Sequence, residues 1–273
     1  MGVNMKKESN KNIPVVILCG GMGTRLREET EYKPKPMVDI GGKPIVWHIM
    51  KIYAHYGYTK FILCLGYKGS VIKDYFLNYE AMSNDLTVSY GGASKTHYLS
   101  NHKEQNFEIT LVDTGLHTMT GGRIKRIEKF IDNETFMVTY GDGLANVDIG
   151  KLVAFHKSHG KLATLTAARP PSRFGILELT NEDQVKQFRE KVATEWINGG
   201  FLVFNRRVFD YLDEDCVLER EPMEKLAKDN QMMAYKHEGF WIGMDTYREY
   251  EMLNQMWDNG NAPWKLWNDA ASS

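Results

Sequence analysis

Three cysteines in 273 residues, Cys19, Cys64 and Cys216, are too few and too far apart for a disulfide framework or a zinc spacing. Cys19 and Cys64 lie in apolar runs, where a small buried thiol is the ordinary outcome. No segment approaches the ~20 apolar residues of a membrane span. The opening MGVNMKKESNKN lacks the apolar stretch of a signal peptide, so a reducing cytoplasm is the expected compartment. Neither sign of charge predominates, with 34 Lys and Arg against 35 Asp and Glu. That removes any global electrostatic case for nucleic acid or an anionic membrane, and phosphate chemistry has to rest on local basic groups. Repeats, low-complexity tracts and an interdomain linker are also missing. The expectation is one domain over residues 14–267, with a polar N-terminal extension, 1–13, and a short C-terminal tail, 268–273.

What is present alternates. Pro14 to Cys19 is a continuous apolar run ending in glycines, the pattern of a buried parallel strand. From Pro44, apolar residues recur at helical spacing as far as Tyr56, with Pro44 suited to the first helical position and Gly57 to the C-terminal cap. Phe61–Leu65 reads as the next strand and Gly69–Tyr79 as a helix. Ile109–Val112 and Phe136–Thr139 read as strands, with a helix over Gly122–Ile131 between them. Asp148 caps a helix that Gly160 stops. Leu162–Ala167, Gly175–Leu179 and Phe201–Phe204 are strand-like, and a last helix spans Tyr247–Trp257. The fold class expected is α/β: a Rossmann-like, mixed but mainly parallel sheet flanked by helices, with a smaller portion beside it. The aromatic tail around Trp264 and Trp267 is expected to pack on the body.

Three groups of residues carry chemistry. Gly20-Gly21-Met22-Gly23-Thr24-Arg25-Leu26 follows the first strand directly, where glycines let backbone N–H groups approach phosphate oxygens. Leu26 replaces the third glycine of a dinucleotide fingerprint, and no Gly-Lys-Ser/Thr follows as in a Walker loop. A tight turn and a ligand loop both fit, and Thr24 and Arg25 at the tip favour the ligand. In Lys33-Pro34-Lys35-Pro36 each proline pushes the lysine before it towards an extended conformation, which would point both lysines the same way. A solvated basic loop and an anion site are the two readings. Asp142, just past an apolar strand and between glycines, lies where open α/β sheets bind ligands, and reads as a turn residue or a metal ligand. Asp245, ahead of the last helix, reads as an N-cap or a metal ligand.

Taken in order, Gly20–Leu26, Lys33–Met37, the Gly-Gly-Lys-Pro run at 41–44, Gly141–Gly143, Glu190-Lys191, Asn198–Gly200 and Met244–Thr246 resemble the sugar nucleotidyltransferase family. The resemblance runs from about Pro14 to Trp267. Within the family it is strongest to the branch that uses CTP and glucose 1-phosphate. That rests on Glu28-Glu29-Thr30, Trp47–Met50, Asp113–Gly115, Met119–Arg123 and Ala262–Lys265.

The resemblance implies a Mg²⁺-dependent transfer of a nucleotidyl group from CTP to α-D-glucose 1-phosphate, releasing pyrophosphate, for surface polysaccharide (O-antigen) or dideoxysugar synthesis. It implies that Gly20, Gly21 and Gly23 line the nucleotide, with Thr24 and Arg25 near its triphosphate. Lys35 matches the catalytic lysine and Arg25 joins it, whereas Lys33 does not match that lysine. Thr118 and Arg123 would help hold the nucleotide, and Gly141 would lie beside its sugar. Asp142 and Asp245 would hold Mg²⁺, Glu190 and Lys191 would bind the sugar phosphate, and Asn198 and Gly199 would lie near the hexose. The family also implies a homo-oligomer, with a hexamer as one form. One departure stands out: Val192 replaces the family's proline after Glu190-Lys191, and the connection to Asn198 is shorter, which reshapes the sugar-phosphate wall. The alternatives are the same chemistry on another nucleotide or sugar phosphate, such as a heptose 1-phosphate, and a non-catalytic regulatory subunit.

Overall fold

Val15–Cys19 is apolar at every position because the strand it forms is covered on both faces: all five residues are buried. Val15, Ile17 and Cys19 face one core with Ile49, Tyr53 and Trp264, while Val16 and Leu18 face a second core with Ile124, Phe136 and Phe204. The computed structural model describes residues 12–268 apart from 24–25, 27–29, 92–94, 100–105, 170–175 and 190–194. In chain order come β1 (Val15–Cys19), β2 (Asp39–Ile40), β3 (Lys43–Pro44), α1 (Ile45–His55), β4 (Lys60–Leu65), α2 (Gly69–Leu77) and α3 (Tyr79–Ser83). Then follow β5 (Leu86–Ser89), β6 (Lys95–Tyr98), β7 (Glu108–Asp113), α4 (Thr120–Arg126), β8 (Thr135–Tyr140), β9 (Gly143–Ala145) and α5 (Ile149–His159). The rest is β10 (Ala163–Ala168), β11 (Ile176–Leu179), β12 (Val185–Arg189), β13 (Ile197–Asn205), α6 (Glu221–Lys228), β14 (Met232–His237), β15 (Trp241–Gly243) and α7 (Tyr247–Asp258).

The central sheet has the order β14-β10-β13-β8-β1-β4-β7. Its pairs are parallel except those of β13, which runs antiparallel to both β10 and β8. Six carboxyl ends and the amino end of β13 therefore share one edge, the edge where open α/β sheets take ligands. The mixed, mainly parallel α/β fold expected from the sequence is the one observed.

Several boundaries differ for local reasons. Pro44 is not the first helical residue: it ends the β2–β3 hairpin in extended conformation and precedes α1 as its cap. The helix expected over 69–79 breaks at Asn78, whose amide donates to the Asp74 carbonyl and carboxylate and so competes with the helix ladder. Gly122–Ile131 is a short helix starting at Thr120, followed by a 3₁₀ turn at Glu128–Phe130. β11 pairs with β12 in a separate two-stranded ladder rather than joining the central sheet. Asp148 caps α5 through the Lys151 N–H, and Gly160 ends it in left-handed conformation, as expected.

The C-terminal segment closes the fold. Trp264 is fully buried and Trp267 nearly so, packed with Trp47 and Trp257 around His48. The Trp264 indole N–H donates to His48 Nδ1 (3.3 Å), so Nε2 carries the ring's proton and donates to the Ile40 carbonyl (2.8 Å). Burial pushes the His48 pKa down to about 4. Among the described residues no helix is long and apolar enough to cross a membrane.

Candidate active site

At the shared strand edge lies a cavity of about 430 Å³, of small-molecule size. It is bounded by Gly20, Gly21 and Gly23 after β1, by Thr118 and Arg123 on one side, and by Gly141, Asp142, Lys35 and Asp245 at its floor.

The floor is built by local geometry. Pro36 supports a 3₁₀ turn over Lys35–Met37, which swings Lys35 inward. Its Nζ lies 2.6 Å from Asp142 Oδ2 and 2.8 Å from Asp245 Oδ1. Burial works against the ammonium, yet the two carboxylates outweigh it and its pKa is raised, so the lysine is charged. The extended run imagined for 33–36 ends at Pro34, and the two lysines part. Lys33 turns away to pair with Asp39 at 2.6 Å and takes no part in the cavity wall.

Asp142 and Asp245 come together through β9 and β15, which pair in register from Gly143 opposite Gly243, and the Met244 N–H donates to the Asp142 carbonyl. Asp245 is not the cap of α7. Thr246 is, in a capping box with Glu249, which leaves the Asp245 carboxylate to the cavity.

Arg123 is 4% exposed. Its guanidinium donates to the carbonyls of Gly20, Leu65, Gly115 and Leu116 and to the Thr114 hydroxyl. It thereby holds the glycine loop, and a side chain at Gly20 would run into it. No carboxylate pairs with it at ion-pair distance among the described residues, so it leaves a positive charge under the loop.

Asn198 and Gly199 stand at the start of β13, beside the cavity wall formed by Tyr140. The Asn198 amide donates to the Tyr140 hydroxyl at 3.2 Å, and the Gly199 carbonyl accepts from the Trp241 indole at 2.7 Å. Thr24, Arg25, Glu190 and Lys191 lie outside the described residues. Sequence reasoning missed Tyr140, Met119 and Thr120, which line the cavity, and Glu219, which holds Tyr140. Tyr140 was accessible as the residue ending the strand before Asp142; Glu219, in a polar stretch far along the chain, carries no such signal.

A parallel-sheet edge with a glycine loop, a buried cation beneath it, and a lysine clasped by two aspartates is a phosphate-handling arrangement. The model of the family described as nucleotidyl transferase matches residues 14–269, and the chain belongs to that family. It is 50% identical over 256 residues to the glucose-1-phosphate cytidylyltransferase of Salmonella typhimurium, covering 92% of this chain and 98% of the relative. It is 46% identical to the probable glucose-1-phosphate cytidylyltransferase of Bacillus subtilis, covering 92% and 99%. Among solved structures, HddC from Yersinia pseudotuberculosis superposes with a TM-score of 0.66 at 24% identity, over 90% of this chain and 99% of that one, a likeness of fold.

Nucleotidyl transferases of this family generally use a divalent metal ion. The floor fits one. Asp142 and Asp245 converge on a single cationic nitrogen, and one or two carboxylates completed by phosphates and water are the usual Mg²⁺ donor set. Among the described residues no group of three or more His, Cys, Asp or Glu offers a metal cage.

Proposed function

We propose that the protein transfers the cytidylyl group of CTP to α-D-glucose 1-phosphate, giving CDP-glucose and pyrophosphate. The likeness to cytidylyltransferases along nearly the full length of both chains supports the substrates. The observation that carries the chemistry is Lys35 between Asp142 and Asp245 on the cavity floor.

In this reading Gly20, Gly21 and Gly23 offer backbone N–H groups to the nucleotide, with Thr24, Arg25, Thr118 and Gly141 about it. Arg123 supplies the buried charge that a triphosphate offsets. Glu190 and Lys191 take the sugar phosphate, and Asn198 and Gly199 the hexose. A phosphate oxygen of the sugar attacks the α-phosphorus, the bond to the β-phosphate oxygen breaks, and pyrophosphate leaves with that electron pair. No protein nucleophile is needed. The chain's residues hold two polyanions in line and offset the charge that spreads over the phosphoryl oxygens. Mg²⁺, held by Asp142 and Asp245, would supply further neutralisation of the triphosphate.

Pyrophosphate release with glucose 1-phosphate and Mg²⁺, assayed across the four NTPs, tests this, and CTP is the donor expected. The altered run after Lys191 is the reason to include other sugar phosphates, a heptose 1-phosphate among them. Nucleotide binding with no turnover of any pair would leave only a binding subunit. Chelation is expected to abolish turnover and added Mg²⁺ to restore it. Asp142→Asn and Asp245→Asn are each expected to raise the Mg²⁺ concentration needed for half-maximal rate while the protein stays folded at the assay temperature, as circular dichroism would report.

The proposal extends to a cytoplasmic enzyme of one domain over residues 14–267, acting as a homo-oligomer, hexameric in form and feeding surface polysaccharide or dideoxysugar synthesis. Six large apolar side chains stand exposed between Leu77 and Leu99, with Tyr90 at 87%, a surface suited to a subunit contact. Light scattering is expected to give a multiple of the 31.4 kDa chain mass.

A further inference from the structure

Tyr140 ends β8 one residue before Gly141, and its ring packs on Gly200, where a side chain would collide with it and where φ is +76°. Its hydroxyl donates to one oxygen of the Glu219 carboxylate. The other oxygen accepts from the Thr120 hydroxyl at 2.7 Å, which itself accepts from the Leu218 N–H at 2.9 Å. On the other side the phenol oxygen accepts from Asn198 Nδ2, and Asn198 Oδ1 accepts from the Gly200 N–H at 3.0 Å. The Gly200 N–H can only donate, so the Asn198 atom facing it is the oxygen and the orientation of the amide is determined by its partners. Burial, then the Glu219 charge, raises the phenol's pKa, which keeps the hydroxyl a donor.

The chain of bonds spans the cavity wall. Thr120 opens α4 two residues after Thr118, on the side read as the nucleotide's. Asn198 is the second residue of β13, on the side read as the acceptor's. One N–H of Asn198 is committed to Tyr140, and the other has no partner among the described residues. We infer that Tyr140, held by Glu219, is a positioning residue that aims the free Asn198 N–H at a hydroxyl of the sugar and ties that aim to the nucleotide wall. The inference rests on the nucleotidyl-transfer reading and deepens it. A phenylalanine would fill the same space, so the hydroxyl's role is orientation rather than packing.

Steady-state kinetics of Tyr140→Phe test it. The KM for the sugar phosphate is expected to rise roughly tenfold, the loss typical of one hydrogen bond, while kcat stays within about threefold and the CTP KM within about twofold. Glu219 is exposed, so Glu219→Ala leaves the core intact and should reproduce the same split. Glu219→Gln, which retains an acceptor for the phenol, should restore most of it. The double variant Tyr140→Phe with Glu219→Ala should be no worse than either single change, because the two act as one unit. Equal rises in both KM values, a fall in kcat alone, no change, or additive losses would overturn the inference. An unmodified protein that turns over no substrate pair would instead overturn the activity on which it rests.

Discussion

Replacing Lys35 by alanine is expected to lower kcat/KM by at least ~10²–10³, the cost of one preorganised stabilising group. The ammonium lies on the cavity floor between two carboxylates that keep it charged. A charge already in place needs no reorganisation as the phosphoryl oxygens gain charge, which is why its loss should fall on kcat more than on KM. Truncation also removes the ammonium that bridges Asp142 and Asp245. Calorimetric titration with Mg²⁺ or Mn²⁺, without nucleotide, is then expected to give tighter metal binding to Lys35→Ala than to the unmodified protein, because an internal competitor has gone. A variant that keeps its rate within tenfold would remove Lys35 from the chemistry, whatever its metal affinity.

The second large effect concerns folding. Trp264→Ala is expected to destabilise the protein by about 3–5 kcal/mol, the range for truncating a large buried aromatic, and to lower Tm by roughly 10 °C. Trp264 has no exposed surface and donates the hydrogen bond that holds His48 in one tautomer. In the variant, water reaches the imidazole, and its pKa, now pushed down to about 4, should move back towards the usual value near 6.5, as NMR of the ring protons would report. The same depression makes the intact fold less stable in acid. The unfolded chain takes up a proton near pH 6.5 where folded His48 does not, so stability is full above that pH and declines as pH falls towards 4. His156, also pushed down to about 4 by burial, adds to the decline. Denaturant titrations at pH 7.5, 6 and 5 should give falling unfolding free energies, and a flat profile would remove both histidines from the account.

Strands covered on both faces were legible from sequence, because a run such as Val15–Cys19 has no solvent face to interrupt it. Capped helices were legible too: Asp148 and Gly160 mark their ends through hydrogen bonding and left-handed backbone, both local properties. The position of Asp142 followed from the strand before it. What was not legible depends on partners distant in the chain. The Thr246-x-x-Glu249 capping box is a local signal for the cap, but nothing near Asp245 reveals that its carboxylate meets Lys35, 210 positions away. Lys33 is the exception: Asp39, only six positions on, draws it away while a 3₁₀ turn sends Lys35 inward, a local turn that the extended reading of the prolines did not anticipate. Glu219 meets Tyr140 across 79 positions of chain, a separation at which side-chain pairing leaves no period to read.

The reversed direction of β13 has a consequence for how such an enzyme can diversify. In the proposed reading donor-side residues leave the ends of forward strands, whereas Asn198 and Gly199, assigned to the acceptor, enter near the beginning of β13, which runs the other way in the central sheet. On that reading, changes in the run leading to β13 would fall on the acceptor side and leave the donor side untouched. A combinatorial library confined to residues 192–197 is expected to shift acceptor preference among sugar phosphates while CTP selection is inherited unchanged, so that new sugar nucleotides arise by recombination at one junction.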